Sequence, residues 1–294
     1  MILIVGATGD LGGRIATSLI ERGEDVRVLL RPGAPAPAAE WRAAGAEVVS
    51  GDLKNADSLA AACSEVDGVI TTANATARSA PDTIETVDRR GNVDLVNAAE
   101  HAGVRRFLFL SALGADPAHP MPLLRAKGEV EQRLRETDLA WTVLQPNVFM
   151  DKLIPIVVGA PALAGSPVDL VGVGGRRHSF VSVSDVVAYA VAALHRPESV
   201  KETLVIGGPE SVSWLDIVAA FEDELGHPIP VRTTPPGMPV PGQPLFVTEL
   251  LTALDSYDSP IDMHALQAAY GVTPCPMGDY VRGFLSSVEK PVIG

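Results

Sequence analysis

The sequence predicts an α/β fold: a doubly wound parallel sheet of Rossmann type with a smaller C-terminal lobe. Three observations predict it. The apolar run over 2–5 lacks polar alternation, as a strand buried on both faces of a parallel sheet should. That run breaks at once into Gly6-Ala7-Thr8-Gly9-Asp10-Leu11-Gly12 and then into helix-forming residues. Strands and helices then alternate as far as residue 144, after which the alternation loosens and proline becomes frequent, densely so over 228–244.

Taken in order, the first half reads as strand 2–5, helix 10–22, strand 26–30, helix 39–44, strand 47–50 and helix 56–63. It continues as strand 67–72, helix 87–102, strand 105–111, helix 125–136 and strand 141–144. Beyond it, 168–173, 178–183 and 203–206 read as strands, and 184–195, 213–225, 245–255, 263–270 and 278–288 as helices. The division expected is a dinucleotide-binding domain over 1–150, with later segments returning to its sheet, and a substrate-binding lobe over 151–294. The proline-rich stretch 234–242 is a loop that either borders a pocket or connects elements on the surface.

Length and composition fit a folded enzyme, since 294 residues with 47% hydrophobic content supply a sizeable core. The formal charge of −13 disfavours nonspecific nucleic-acid binding, which requires basic patches. Two distant cysteines, Cys63 and Cys275, and an opening directly on a core strand point to a cytoplasmic protein with reduced thiols and no membrane span. No His/Cys/Asp cluster has metal-ligand spacing, and no serine lies in a nucleophile elbow. The expected partner is a small molecule, and a homodimer is compatible with the chain.

The opening glycines point to a dinucleotide. Gly6 suits a tight turn, Gly9 close approach to a pyrophosphate, and Gly12 close packing of helix on sheet, while the helix N-terminus presents amide donors and a positive dipole end. Thr8, Asp10 and Leu11 belong to the same loop. The second strand ends in Arg31 with no acid beside it, which favours NADPH over NADH because a guanidinium binds a phosphate that a carboxylate repels. After the third strand, Asp52 either accepts from an adenine amino group or caps a turn, and Leu53 is placed to pack on the ring. Thr72, Ala73 and Asn74 follow the fourth strand, where a cofactor would cross the sheet edge.

Four motifs resemble the NmrA-like, atypical short-chain dehydrogenase/reductases. They are Gly6-Ala-Thr-Gly9-Asp-Leu-Gly12, Ser111-Ala-Leu-Gly-Ala115, Lys127 with Glu129-Val-Glu131, and Gln145-Pro146-Asn147-Val148-Phe149-Met150. Residues 180–186 are a fifth, weaker match, so the resemblance spans most of the chain. It implies a Rossmann fold and an NADPH-dependent reductase of a small apolar quinone, enone or carbonyl. The alternative it carries is a redox sensor that binds NADP(H) and acts through protein partners.

In the wider family a tyrosine stands four residues before the lysine; here that position is Leu123, which cannot donate a proton. The resemblance therefore implies Lys127 beside the nicotinamide ribose or acting as the acid itself, although Glu131 at i+4 also offers it an ordinary helix ion pair. Ser111 either orients a substrate carbonyl or caps the strand end. Asn147 is implied as a carbonyl ligand, with Phe149 and Met150 either an apolar wall or core packing. His178 is a second candidate acid. Gln145 departs from the arginine that relatives often carry before this proline.

Overall fold

The computed structural model describes residues 1–33, 38–75, 78 and 80–288. Two compact units result: Met1–Pro146 with Val186–Val205, and Asn147–Asp185 with the residues from Ile206 onward.

The first unit contains β1 (Ile2–Val5), α1 (Asp10–Glu21), β2 (Val26–Leu30), α2 (Ala38–Ala43), β3 (Glu47–Ser50), α3 (Ala56–Cys63) and β4 (Gly68–Thr71). A π-helical turn, Ile84–Gly91, leads into α4 (Asn92–His101), followed by β5 (Arg106–Leu110), α5 (Pro122–Arg135) and β6 (Ala140–Pro146). The strand order is β3-β2-β1-β4-β5-β6, completed by β8 (Glu202–Ile206). The pairs from β3 to β6 are all parallel. Strands β1, β2 and β4 are buried at every residue, which is why they are apolar throughout except for the buried Arg27 of β2 and Thr71 of β4. One apolar core on this sheet joins Leu3, Val69, Phe107 and Phe109 to Leu59 of α3, Leu95 of α4 and Val130 of α5. From β1 the chain winds outward to β3 and then returns to place β4 on the other side of β1. The reversal opens a crevice at the carboxyl ends of β1 and β4, the place where open α/β sheets bind ligands.

The second unit holds short helices α6 (Met150–Ile154) and α7 (Ala160–Leu163), then β7 (Val168–Val171). α8 (Val183–Leu194) starts in this unit and runs into the first. α9 (Trp214–Leu225), β9 (Val231–Thr234), α10 (Leu245–Leu254), α11 (His264–Tyr270) and α12 (Met277–Val288) follow. β7 and β9 form a two-stranded parallel sheet. Its core gathers Leu153, Val157, Leu170, Phe180, Phe221 and Leu251.

Two expectations need correction in this unit. Residues 178–183 form no strand. His178 bridges to Val212 and to Ser259, and Val181 to Phe149, so successive residues find different partners and no ladder develops. Conversely, β9 lies at the edge of the proline-rich stretch, and its mostly exposed residues carry no apolar signal.

Candidate nucleotide-binding site

Gly6 leaves β1 with φ +100°, a region that side-chain-bearing residues avoid. The turn is closed by the Gly9 N–H donating to the Gly6 carbonyl at 2.9 Å. A Cβ on Gly12 would stand 2.3 Å from that carbonyl oxygen and 2.5 Å from Thr72 Oγ1, so α1 sits against the turn and the β4 end at a distance only glycine permits. Gly9 faces open space instead, with its nearest neighbour, the Gly6 oxygen, at 3.4 Å from a built Cβ. The first intrahelical bond runs from Gly13 N–H to Gly9 O, 2.8 Å, so the amides ahead of it, Leu11 and Gly12 included, point out of the helix end. Asp10 turns back along the helix to Arg14 Nε at 2.7 Å.

The cleft at this strand end has apolar walls from Val5, Leu29, Leu53 and Val87. Gly6 and Thr8 of the glycine turn line it too, as do Asp52 and Asn74, with Arg31, Lys54, Arg78 and Asp82 adding charge. Thr72 is buried behind it, its amide donating to Val5 O at 2.9 Å. A slot with apolar sides, a glycine turn at one end and three cations at its rim fits a dinucleotide.

The cations are not idle. Asp82 accepts from Arg31 Nη1, from Lys54 Nζ at 2.6 Å and from Arg78 Nη1 at 3.2 Å. The Lys54 ammonium foremost, with Arg78 and Arg31, holds the Asp82 carboxyl below the usual carboxylate range. Burial alone would lower the Lys54 pKa, but Asp52 and Asp82 together raise it. The expectation of a strand end without an acid is thus corrected in space, because the chain returns after β4 to lay Asp82 against Arg31. Asp52 caps a turn, its Oδ1 accepting the Lys54 N–H at 2.9 Å while both carboxylate oxygens hold Lys54 Nζ. Lys54, Arg78 and Asp82 escaped sequence reasoning. Lys54 was visible as a cation two residues past Asp52, whereas no local pattern connects Asp82 with Arg31, 51 residues earlier.

A second polar centre lies at the end of β5. Lys127 is 5% exposed; its Nζ donates to Leu110 O at 2.9 Å, stands 3.9 Å from Asp88 Oδ1 and lies 4.8 Å from the Phe109 ring centroid. Burial lowers its pKa against the opposing pull of Asp88 and Glu131. Burial likewise raises that of Asp88, against the Lys127 charge and the Ala75 N–H, which donates to Asp88 Oδ2 at 2.9 Å. Asn92 holds the same loop, accepting from Thr71 Oγ1 at 2.8 Å. The i+4 pairing with Glu131 is therefore replaced by Asp88, a residue supplied by the π-helical turn. Glu131 is engaged elsewhere: it accepts from the buried Ser111 hydroxyl, from Gln145 Nε2 at 2.8 Å and from Arg135 Nη2 at 2.8 Å. Half-buried Leu123 stands one turn before Lys127.

The remaining candidates belong to the second unit. Asn147 Nδ2 donates to Ser259 O and Oγ, both at 3.0 Å, and its own Oδ1 accepts the Val148 N–H at 2.9 Å. His178 is fully buried, with Nδ1 2.7 Å from Ser259 Oγ and Nε2 3.1 Å from Leu254 O. Burial lowers its pKa below the ordinary histidine value, and both ring nitrogens find partners within the unit. Met150 is likewise a core residue, 1% exposed, and only Phe149 remains half-buried. Among the described residues no group of three or more His, Cys, Asp or Glu is placed to hold a metal ion. No described helix is long and apolar enough to cross a membrane.

Sheet order, glycine turn and cleft define a Rossmann-type nucleotide-binding protein. A family model described as NAD(P)H-binding matches residues 6–197, and the chain belongs to that family. It is 29% identical over 291 residues to an NAD(P)H azoreductase of Xenophilus azovorans, covering 99% of this chain and 92% of the relative. It is also 30% identical over 235 residues to the photosystem II assembly factor Ycf39 of Synechocystis sp., covering 80% of this chain and 70% of that one. Among solved structures, an NADPH-dependent quinone oxidoreductase from Escherichia coli in complex with NADPH superposes with a TM-score of 0.80 at 19% identity, covering 97% of this chain and all of that one, a likeness of fold.

Proposed function

We propose that the chain is an NADPH-dependent reductase of a small, largely apolar acceptor, of the quinone, azo, enone or carbonyl class. The observation that carries this reading is the cleft itself, in which a glycine turn and the Arg31, Lys54 and Arg78 cations stand at one strand end. The azoreductase relative, matched over almost its whole length, supports the reaction class. So does a second relative from Streptomyces griseus, named as the reductase of an alkanoyl-substituted oxo-dihydrofuranyl methyl phosphate, 30% identical over 230 residues and covering 78% of this chain and 75% of that one.

NADPH, when bound, supplies a hydride. The chain's own part is to grip and orient. The amides around Gly9 and the α1 N-terminus hold the pyrophosphate. Val5, Leu29 and Leu53 flank the adenine, and Arg31, Lys54 and Arg78 hold the 2′-phosphate. Lys127, fixed at the end of β5, is assigned to the nicotinamide-ribose side. With Leu123 in the tyrosine position, an acceptor whose reduction spreads charge over a conjugated system is favoured, because water or an amine can protonate a delocalised oxyanion. Free thiols at Cys63 and Cys275 accord with a reducing, cytoplasmic setting.

NADPH oxidation by the purified protein, followed across quinones, azo dyes, enones and simple ketones, tests the reading. Turnover on conjugated acceptors but not simple ketones is expected, falling at least tenfold in Lys127→Ala (order of magnitude for loss of one positioning charge). Arg31→Asp is expected to weaken NADPH binding by roughly 10²-fold while altering NADH far less; equal losses for both would remove Arg31 from the phosphate site. Tight binding without consumption on any acceptor supports the second reading, an NADP(H)-binding regulator. The engaged Ser111 hydroxyl and Leu123 favour that reading, as does a relative named for assembly rather than catalysis.

A further inference from the structure

The cation cluster carries an anion of its own. Asp82 stands where three positive side chains converge, and its carboxylate is the most enclosed member: its side chain is 9% exposed, against 40% for Arg31, 24% for Lys54 and 34% for Arg78. The three cations thus present their outer sides to solvent while their inner sides meet on the Asp82 carboxylate, Lys54 holding Asp52 as well. Asp82 is not there by accident of a loose loop. The next residue, Thr83, caps the π-helical turn: its Oγ1 accepts the Thr86 N–H at 3.1 Å and its own N–H donates to Thr86 Oγ1 at 2.9 Å. The preceding Pro81 carbonyl is held by Thr86 Oγ1 at 2.7 Å. Both neighbours of Asp82 are therefore pinned, and the carboxylate is delivered to the cleft by a rigid helix start.

We propose that Asp82 is a specificity-determining residue of this cleft, an internal anion that offsets part of the charge of Arg31, Lys54 and Arg78 and sets how strongly they prefer a 2′-phosphate to a 2′-hydroxyl. The proposal rests on the NADPH reading above. A dianionic phosphate arriving at the rim shares its cations with a carboxylate already in place, so each cation–phosphate contact is discounted by a contact to Asp82 and by like-charge repulsion. An uncharged ribose hydroxyl meets no such repulsion and draws little on the cations. Asp82 accordingly narrows the gap between the two dinucleotides, and removing its charge widens it.

Calorimetric titration of 2′,5′-ADP and 5′-AMP into the wild type, Asp82→Asn and Arg31→Ala separates the possibilities without any turnover. Asp82→Asn is expected to bind 2′,5′-ADP about tenfold more tightly, one close charge contact, with 5′-AMP changed less than about twofold. Arg31→Ala is expected to lose affinity for 2′,5′-ADP alone. If Arg31→Ala weakens 2′,5′-ADP but Asp82→Asn does not strengthen it, the role of Asp82 is overturned and the NADPH reading stands. If the wild type does not distinguish the two nucleotides and Arg31→Ala is without effect, the phosphate reading falls and this inference with it. The wild type offers an independent check: the Asp82 side-chain carbon resonance is expected to shift on adding 2′,5′-ADP and to stay in place with 5′-AMP. The same response to both nucleotides would overturn the proposal.

Discussion

Gly12→Ala is expected to cost the fold and the ligand together. The new methyl group would stand 2.3 Å from the Gly6 carbonyl oxygen and 2.5 Å from Thr72 Oγ1, and the nearer atom is backbone that no rotamer change can remove. Gly6 cannot yield either, because its φ of +100° and its bond from Gly9 N–H define the turn. Relief requires α1 to slide away from β1 and β4. Overpacking of this kind costs about 1–3 kcal/mol, and more where only backbone can give. It also moves the very amides that face the cleft, so nucleotide affinity should fall by at least an order of magnitude for a displacement of about 1 Å. Gly9→Ala is the instructive control. Its Cβ would meet the Gly6 oxygen at 3.4 Å, an ordinary contact, and its φ of −86° and ψ of 158° suit any residue. Stability should therefore fall by no more than about 1 kcal/mol, the worth of the N-cap preference for glycine over alanine, while NADPH binding drops because the methyl group occupies the space in front of the helix end. Thermal melts and calorimetry on both variants decide the matter. Unchanged NADPH affinity in a folded Gly9→Ala protein would show that the pyrophosphate does not pass over this turn.

What the sequence made legible was whatever depends on neighbours along the chain. The buried strands announced themselves because Ile2–Val5 and Val26–Leu30 are enclosed on both faces. The glycine turn was legible because Gly6, Gly9 and Gly12 act within one loop. Elements whose residues face water gave no such signal, and β9 went unassigned for that reason. Helices α6 and α7 and the π-helical segment joining them were hidden by Pro155 and Pro161, which fall inside one continuous helical run, where proline is not expected. The polar centres depended on contacts between distant residues. Arg31 could be nominated from its place after β2, but its neutralising partner arrives from a segment beyond β4. Lys127 could be nominated from its motif, but its counter-charge comes from a π-helical turn in which Asp88 carries no mark of its role. Asn147, Met150 and His178 were nominated for polarity or position and turned out to hold the second unit together.

The Lys127–Asp88 pair makes the sharpest stability prediction, because neither partner has water to fall back on: Lys127 is 5% exposed and Asp88 is fully buried. Lys127→Met leaves a carboxylate enclosed without its cation and Asp88→Asn an ammonium without its anion, and each single change should cost about 3–5 kcal/mol near neutrality. Lys127→Met/Asp88→Asn together should recover much of that loss, since no charge then remains to be buried. The pH profiles separate the two single variants. Asp88 already titrates above its ordinary value of 3.8 because of burial, and removing the ammonium raises it further. Native Lys127→Met then holds a proton that the unfolded chain has released, so its stability falls as pH rises from 3.8 through the raised value of Asp88. Lys127 is lowered from 10.5 by burial, and Asp88→Asn lowers it further. There the unfolded chain binds the extra proton, so stability climbs as pH rises through the lowered value toward 10.5. Denaturant unfolding between pH 4 and pH 10 should therefore give opposite slopes for the two single variants and a flatter profile for the double. Parallel profiles, or a double variant no better than the worse single one, would mean that the pair is not coupled. Coupling matters beyond stability, since Asp88 also accepts the Ala75 N–H and thereby ties the β4 loop that lines the cleft to the amine at the end of β5. Melting of the Lys127 variant alone would thus carry a signature in nucleotide binding that the double variant should largely lack.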